Sequence, residues 1–233
     1  MFATHQPIFL PWPGLFAKLL LAGTLVLLDD VQFPRGRSWM ARNRMKSDTA
    51  ELWLKVPVLR KGKGLQTIRD VEICDETDWR AKHLRSLREK YARAPYLSDY
   101  FPALEEIYQR RQTRLAGLNM DLIRFLQDAL HVEGQVILQS TLGITGAGTE
   151  LLTSLAASLN ADEYLTFAPV EKYLDTAEFA RKGVRLRLIR FSAPVYPQLW
   201  GANIANLSAL DLLLNCGPRS LDILRQSASL PAA

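Results

Sequence analysis

Residues 5–14 read HQPIFLPWPG and place a histidine and a glutamine directly before a proline-rich turn. An imidazole titrates near neutral pH, so His5 can act as a general base or donate to a phosphate or carbonyl oxygen. Pro7, Pro11 and Pro13 restrict φ and remove donors, so the turn would hold His5 and Gln6 at little entropic cost. A histidine simply hydrogen-bonded at a strand end explains the same spacing equally well. Asp29, Asp30 and Gln32 make a second polar group, where a carboxylate can orient an imidazole, bind a ribose hydroxyl or hold a metal. One of the two aspartates need do no more than end an apolar run. SWMARNRMK brings Trp39, Arg42, Asn43, Arg44 and Lys46 close together. Guanidinium forks suit carboxylates and phosphates, and the indole can stack on a base or sugar.

Other signals are weaker. In TDWRAKHLRSLREKY, Trp79, His83, Leu87 and Tyr91 recur every fourth residue on one helix face, so His83 points inward. That suits a satisfied core histidine, or one facing a site. Cys216 follows an apolar stretch with no histidine near it in sequence, which favours a buried inert thiol. The glycines of LGITGAGTE precede a helix and could seat an anion at its N-terminus, or serve turn geometry alone. Cys74 and Cys216 lie too far apart for a metal motif, no metal site is expected, and both are expected to be reduced, unpaired thiols.

These residues need elements to position them. MFATHQP predicts a strand ending at His5, LPWPGLFAKLLLAG a helix stopped by Gly23, and TLVLL a buried parallel strand. Together they form a βαβ unit, which puts His5-Gln6 and Asp29-Asp30 on one carboxyl edge, where open α/β sheets bind ligands. VQFPRGRSWMARNRMKS has no clean period and reads as an ordered loop. ELWLKVPV and QTIRDVEI alternate like strands, with RKGKG joining them as a hairpin. Three helical stretches follow, the first capped by Asp78 or Thr77 and the third by Asn119. From QVILQS onward strands and helices alternate again, with DTAEFARKG closed by Gly183 and two terminal helices. The expected fold is α/β: a three-layer, Rossmann-like parallel sheet carrying a β-hairpin and helical insertion. The insertion spans about residues 32–130 and lies over the carboxyl edge of a single domain, 1–227, with 228–233 as a disordered tail.

Bulk properties narrow the partners. The apolar run LLLAGTLVLL is too short to span a bilayer, and the opening lacks the basic and small-residue parts of an export signal. A cytoplasmic protein without membrane contact is expected. The net charge is +5, but residues 31–93 hold 16 Lys/Arg against 8 Asp/Glu, while the remainder is slightly acidic. This basic segment suggests an anionic partner, although a solvated basic face would read the same way.

HQPIFLPWPGLFAKL, VLLDDVQF, SWMARNRMK, WLKVPV, WRAKHLRSL, NADEYL, YPQLWG and LSALDLLLNCG together resemble the WbqC-like protein family. The resemblance runs from residue 4 to about 224. It implies an accessory enzyme of bacterial surface-polysaccharide and O-antigen biosynthesis, with transfer of glycine to a sugar the usual suggestion. It marks His5, Asp30, Gln32, Trp39, Arg42, Asn43, Lys46, His83, Tyr196 and Gln198 among others; His5, Asp30 and His83 are the catalytic candidates, and the rest, with Gln6, the substrate-binding ones. The chain departs from the family pattern at TFAPVEKYLD, which carries Phe167, Pro169 and Glu171, and at ANIANLS after Gly201. The expectation is a group-transfer enzyme moving an aminoacyl or acyl group from an activated donor to an amine or hydroxyl of a small acceptor. His5 would be the base or oxyanion partner and Asp30 its orienter. Arg42, Asn43 and Lys46 would hold the anionic end of a nucleotide, phosphopantetheine carrier or tRNA donor. A first alternative is a nucleotidyltransferase-like ligase that activates a carboxylate with ATP and Mg²⁺. A second is a non-catalytic module that binds a carrier or nucleic acid.

Overall fold

The computed structural model describes residues 1–231. Strand β1 (Phe2–His5) leads through helix α1 (Pro13–Ala22) to β2 (Thr24–Leu27). The left-handed Gly23, with φ at 70°, closes α1, because a Cβ would resist that conformation. β3 (Arg42–Lys46), β4 (Glu51–Lys55), α2 (Trp79–Lys90), α3 (Leu97–Gln109) and α4 (Leu115–Ala129) then intervene before β5 (Gln135–Leu138). The chain continues through α5 (Gly148–Ser158), β6 (Glu163–Phe167), α6 (Ala168–Glu171), α7 (Thr176–Arg181) and β7 (Arg185–Phe191). It ends with α8 (Ala209–Cys216), α9 (Ser220–Ser227) and β8 (Ala228–Ser229).

The main sheet runs β5-β2-β1-β6-β7-β8 and is parallel except at its β7–β8 edge. Its two faces follow from strand alternation. Phe2, Val26 and Tyr164 pack with Leu151 and Leu155 of α5 and Phe179 of α7. Ala3, Leu25, Leu27, Leu165 and Ile189 face the opposite side, with α1, α4, α8 and α9. Helices on both faces of a mostly parallel sheet make a mixed α/β, Rossmann-like arrangement. The connections reverse direction between β1 and β6, so the switch point lies at the carboxyl ends of those strands, beside His5 and Phe167. The second apolar cluster continues without a break into Met45, Leu54, Leu87, Leu104 and Leu118, which belong to the segment between β2 and β5.

Several elements differ from the sequence expectation. The hairpin is β3 with β4, with Arg44 opposite Trp53 and Ser47 N bonded to Ala50 O at its turn. RNRMK hides this strand because Arg42, Arg44 and Lys46 share one face and Asn43 and Met45 the other, so only one apolar residue marks the alternation. QTIRDVEI instead makes a short 3₁₀ turn at Ile68–Asp70 and pairs with its neighbours only through isolated bridges, such as Val58 to Ile73. Asn119 caps nothing: α4 starts four residues earlier, at Leu115, and Asn119 is buried inside it. The tail read as disordered begins with β8, where Ala228 pairs with Phe191; residues 232–233 lie outside the described part. Cys74 and Cys216 are free thiols, and burial raises the pKa of Cys216. No helix among the described residues is long and apolar enough to cross a membrane.

Candidate functional site

β1 ends at His5, and the chain then turns through a segment that supplies few internal hydrogen bonds because three of its residues are prolines. Distant residues supply them instead. Asn43 Nδ2 donates to Phe9 O at 3.1 Å and Leu10 O at 2.7 Å. Asn119 Nδ2 donates to Pro7 O at 2.7 Å and Met40 O at 2.9 Å. Phe9 N donates to Trp39 O, and Ala209 N to Pro11 O. Leu10 is held at a left-handed φ of 42°, a strained conformation for a leucine that these bonds maintain. His83 lies beneath the turn. It accepts from Lys55 N through Nε2 at 3.1 Å, approaches Tyr108 Oη through Nδ1, and packs on the Phe9 and Trp79 rings. Burial lowers its pKa to about 4, so it is a neutral core histidine that supports the turn.

The turn opens onto a cleft of about 510 Å³ at the switch point of the sheet. His5, Gln6, Trp12, Trp39, Asn43 and Arg44 line it, together with Arg37, Ser38 and Asn206 from further along the chain. No carboxylate lines it among the described residues. His5 Nδ1 lies 2.8 Å from Gln6 O, and because a carbonyl only accepts, Nδ1 carries the proton. Nε2 therefore presents a lone pair, approached by the Trp12 indole N–H at 3.4 Å. Burial, reinforced by the Lys18 charge, lowers the His5 pKa to about 3, so the imidazole is neutral and works as an acceptor.

Trp12 forms the back of the cleft. Its indole lies over Gly14, where an added Cβ would come within 2.3 Å of the ring, and packs against Phe167 and Phe191. The ring thus covers the start of α1, where many Rossmann-like proteins seat a phosphate. Lys18, on α1, is buried, donates to Thr4 O at 2.8 Å and sits over the Phe167 ring. Burial brings its pKa down to about 8.

The remaining sequence candidates are placed differently. Asp30 does not orient His5: its carboxylate pairs with Arg69 at 3.0 Å, and the imidazole uses the Gln6 carbonyl instead. Asp29 accepts from Ser140 N and Oγ, tying β2 to the end of β5. Gln32 is exposed and bridges to Thr67. Lys46 shares a strand face with Arg44 but is buried with Nζ on Ala202 O and does not line the cleft. Tyr196 donates to the buried carboxyl of Asp211, which also receives Tyr91. Burial raises the pKa of Asp211. Gln198 spends both ends of its amide on Ile204. Of the sequence candidates, His5, Gln6, Trp39, Asn43 and Arg44 line the cleft, and the Asn43 amide is already committed to the turn. Arg42 lies beside it, over Trp53 and Trp39.

Residues 6–223 match the family model described as the WbqC-like protein family. The chain belongs to that family. It is 31% identical over 225 residues to Uncharacterized protein Rv1507c of Mycobacterium tuberculosis (strain ATCC 25618 / H37Rv), covering 96% of each chain. No solved structure matches. Both segments expected from the sequence to depart from the pattern of this WbqC-like family border the site. Phe167 packs against Trp12, and in the 202–206 segment Asn206 lines the cleft while Ala205 O accepts from Arg44.

Sequence reasoning overlooked Lys18, Arg37 and Asn206, and gave Asn119 only a capping role. Lys18 had a signal, as the single charge in the apolar run LFAKLLLAG. Asn119 had none, since its partners lie 112 and 79 residues away.

Proposed function

We propose that this cleft transfers an aminoacyl or acyl group from an activated, anionic donor to an amine or hydroxyl of a small acceptor. The observation that supports this reading most is the combination at the switch point of a neutral imidazole acceptor with the cationic Arg37 and Arg44. The attacking nitrogen or oxygen forms a bond to the donor's carbonyl carbon, and the bond from that carbon to the leaving group breaks. The nucleophile's proton passes to His5 Nε2 and then to the leaving group, so the imidazole returns neutral. A pKa of about 3 makes free His5 a weak base. An anion near Arg37 offsets the field of Lys18 and raises that basicity as the donor binds. Membership of the family supports an acceptor from polysaccharide biosynthesis, and the two departures beside the cleft favour an acceptor different from that of the polysaccharide members.

The carboxylate-activating ligase reading would use Asp29 and Asp30 for Mg²⁺, and both are engaged, by Ser140 and Arg69. The test is to incubate the protein with acyl-coenzyme A and aminoacyl-adenylate donors plus amino-sugar and nucleotide-amino-sugar acceptors, and to read product by mass spectrometry. A His5→Gln variant should lose at least ~10²-fold in turnover at an unchanged melting temperature. Pyrophosphate release from ATP would replace this reading with the ligase. RNA binding that weakens steeply with salt, without turnover, would replace it with a non-catalytic module.

A further inference from the structure

One wall of the cleft has no part in the transfer chemistry. Trp39 is 48% exposed and Trp53 37% exposed, an unusual place for two of the five tryptophans. Their rings stack with centroids 5.7 Å apart and planes 30° apart. The Arg42 guanidinium carbon lies 4.6 Å from the Trp53 ring centre and 5.9 Å from that of Trp39. Trp53 is fixed opposite Arg44 in the β3–β4 ladder, and the Trp39 carbonyl is fixed by Phe9 N. Arg42 makes no ion pair among the described residues, and its Nε is buried without a partner. The result is a rigid aromatic shelf, backed by a cation, whose Trp39 end lines the cleft.

The charge beside the shelf is cationic as well. Arg37 lines the cleft, is exposed, and makes no ion pair among the described residues. Arg44 also lines it, although its NH1 is paired with Glu51 and its NH2 donates to Ala205 O. A ligand that satisfies both parts must be planar and apolar at one end and multiply anionic at the other.

We propose that the Trp39–Trp53–Arg42 shelf is a nucleobase subsite, so that the donor handled at His5 is an acyl-bearing derivative of a nucleoside diphosphate. The base stacks on Trp39, with Trp53 and Arg42 behind it, and the phosphates extend to Arg37 and the rim of Arg44. Stacking on an indole tolerates any base, because every base has a π-face. This assignment rests on reading the cleft as the active site.

The experiment uses the full chain and measures binding by titration calorimetry and tryptophan fluorescence. The probes are ADP, UDP, GDP, CDP, inorganic pyrophosphate and N-acetylglucosamine. At least one nucleoside diphosphate should bind at least ~10-fold more tightly than pyrophosphate and quench tryptophan emission. Trp39→Ala should weaken that nucleotide by about 10- to 100-fold without changing pyrophosphate binding, and Trp39→Phe should restore most of the loss. Arg37→Ala should weaken nucleotide and pyrophosphate alike. Trp39 is half-exposed, so melting curves of the variants should match the parent. If pyrophosphate binds in an Arg37-dependent way and the base adds nothing, the subsite is refuted while the cleft reading stands. If N-acetylglucosamine alone depends on Trp39, the shelf is a sugar platform and the nucleobase assignment is wrong. If no probe binds, both readings fall.

Discussion

Two neutral histidines, His83 in the core and His5 half-buried at the cleft, make this fold sensitive to mild acid. His5 has a folded-state pKa of about 3 and His83 of about 4, against 6.5 for the ordinary side chain. Below 6.5 the unfolded chain binds protons that the folded chain refuses, so stability falls as pH drops through this window and is intact above it. For His5, the ratio of the two proton-binding functions gives a loss of about 2.5 kcal/mol between pH 7 and pH 4.5. His83 contributes slightly less, and the pair reaches about 5 kcal/mol, the size of a small domain's whole stability. Urea unfolding at pH 7.0, 5.5 and 4.5 would read this for the parent, His5→Gln and His83→Gln. The parent should lose at least ~5 kcal/mol across the series, and each variant about 2.5 kcal/mol less than the parent. His83→Gln should also start lower at pH 7, because the amide does not replace the ring packed against Phe9 and Trp79. A His5→Gln protein as acid-sensitive as the parent would show that His5 is not held neutral, and would remove the basis for its acceptor role.

Lys18 gives a dependence of the same sign in a higher window. Its pKa of about 8 in the fold lies below the usual 10.5, so stability should rise by about 2 kcal/mol from pH 7 to 9.5, a rise absent in Lys18→Met when both are followed by urea unfolding. Gly14→Ala should displace the Trp12 indole at a cost of ~1–3 kcal/mol, visible as a lower melting temperature and altered near-UV dichroism. Asn119→Ala should cost roughly 2 kcal/mol by leaving the Pro7 and Met40 carbonyls without their donor, and should weaken binding in the cleft at temperatures where the protein is still folded.

Much of the frame could be read from the chain because period and element coincide there. FATH, PGLFAKLLLA and TLVL show a strand, a helix and a strand within 26 residues, and their order puts His5 on the carboxyl edge. The β3 strand was hidden because Arg42, Arg44 and Lys46 bury their stems while looking polar in sequence. The site was only half legible, for a related reason. Asp30, Lys46, Tyr196 and Gln198 have the right chemistry, but their hydrogen bonds go to Arg69, Ala202, Asp211 and Ile204. Residue type shows what a side chain can bind, whereas competition among partners brought near by folding decides what it does bind. Asn119 shows the converse, as an ordinary helix residue that a long-range contact recruits to hold the turn.

The clamps on the proline turn also tie the cleft to the cooperativity of the whole molecule. A turn bound by its own residues could order early and independently. This one takes its donors from Asn43 and Asn119, which belong to the segment between β2 and β5. Any fluctuation that opens that segment therefore releases the turn, and His5 with it, even while the parallel sheet stays intact. Amide exchange at Phe9 should then follow the opening of α4 rather than that of β1. A ligand seated in the cleft should slow exchange throughout α4, whose last residues contribute no atom to the site.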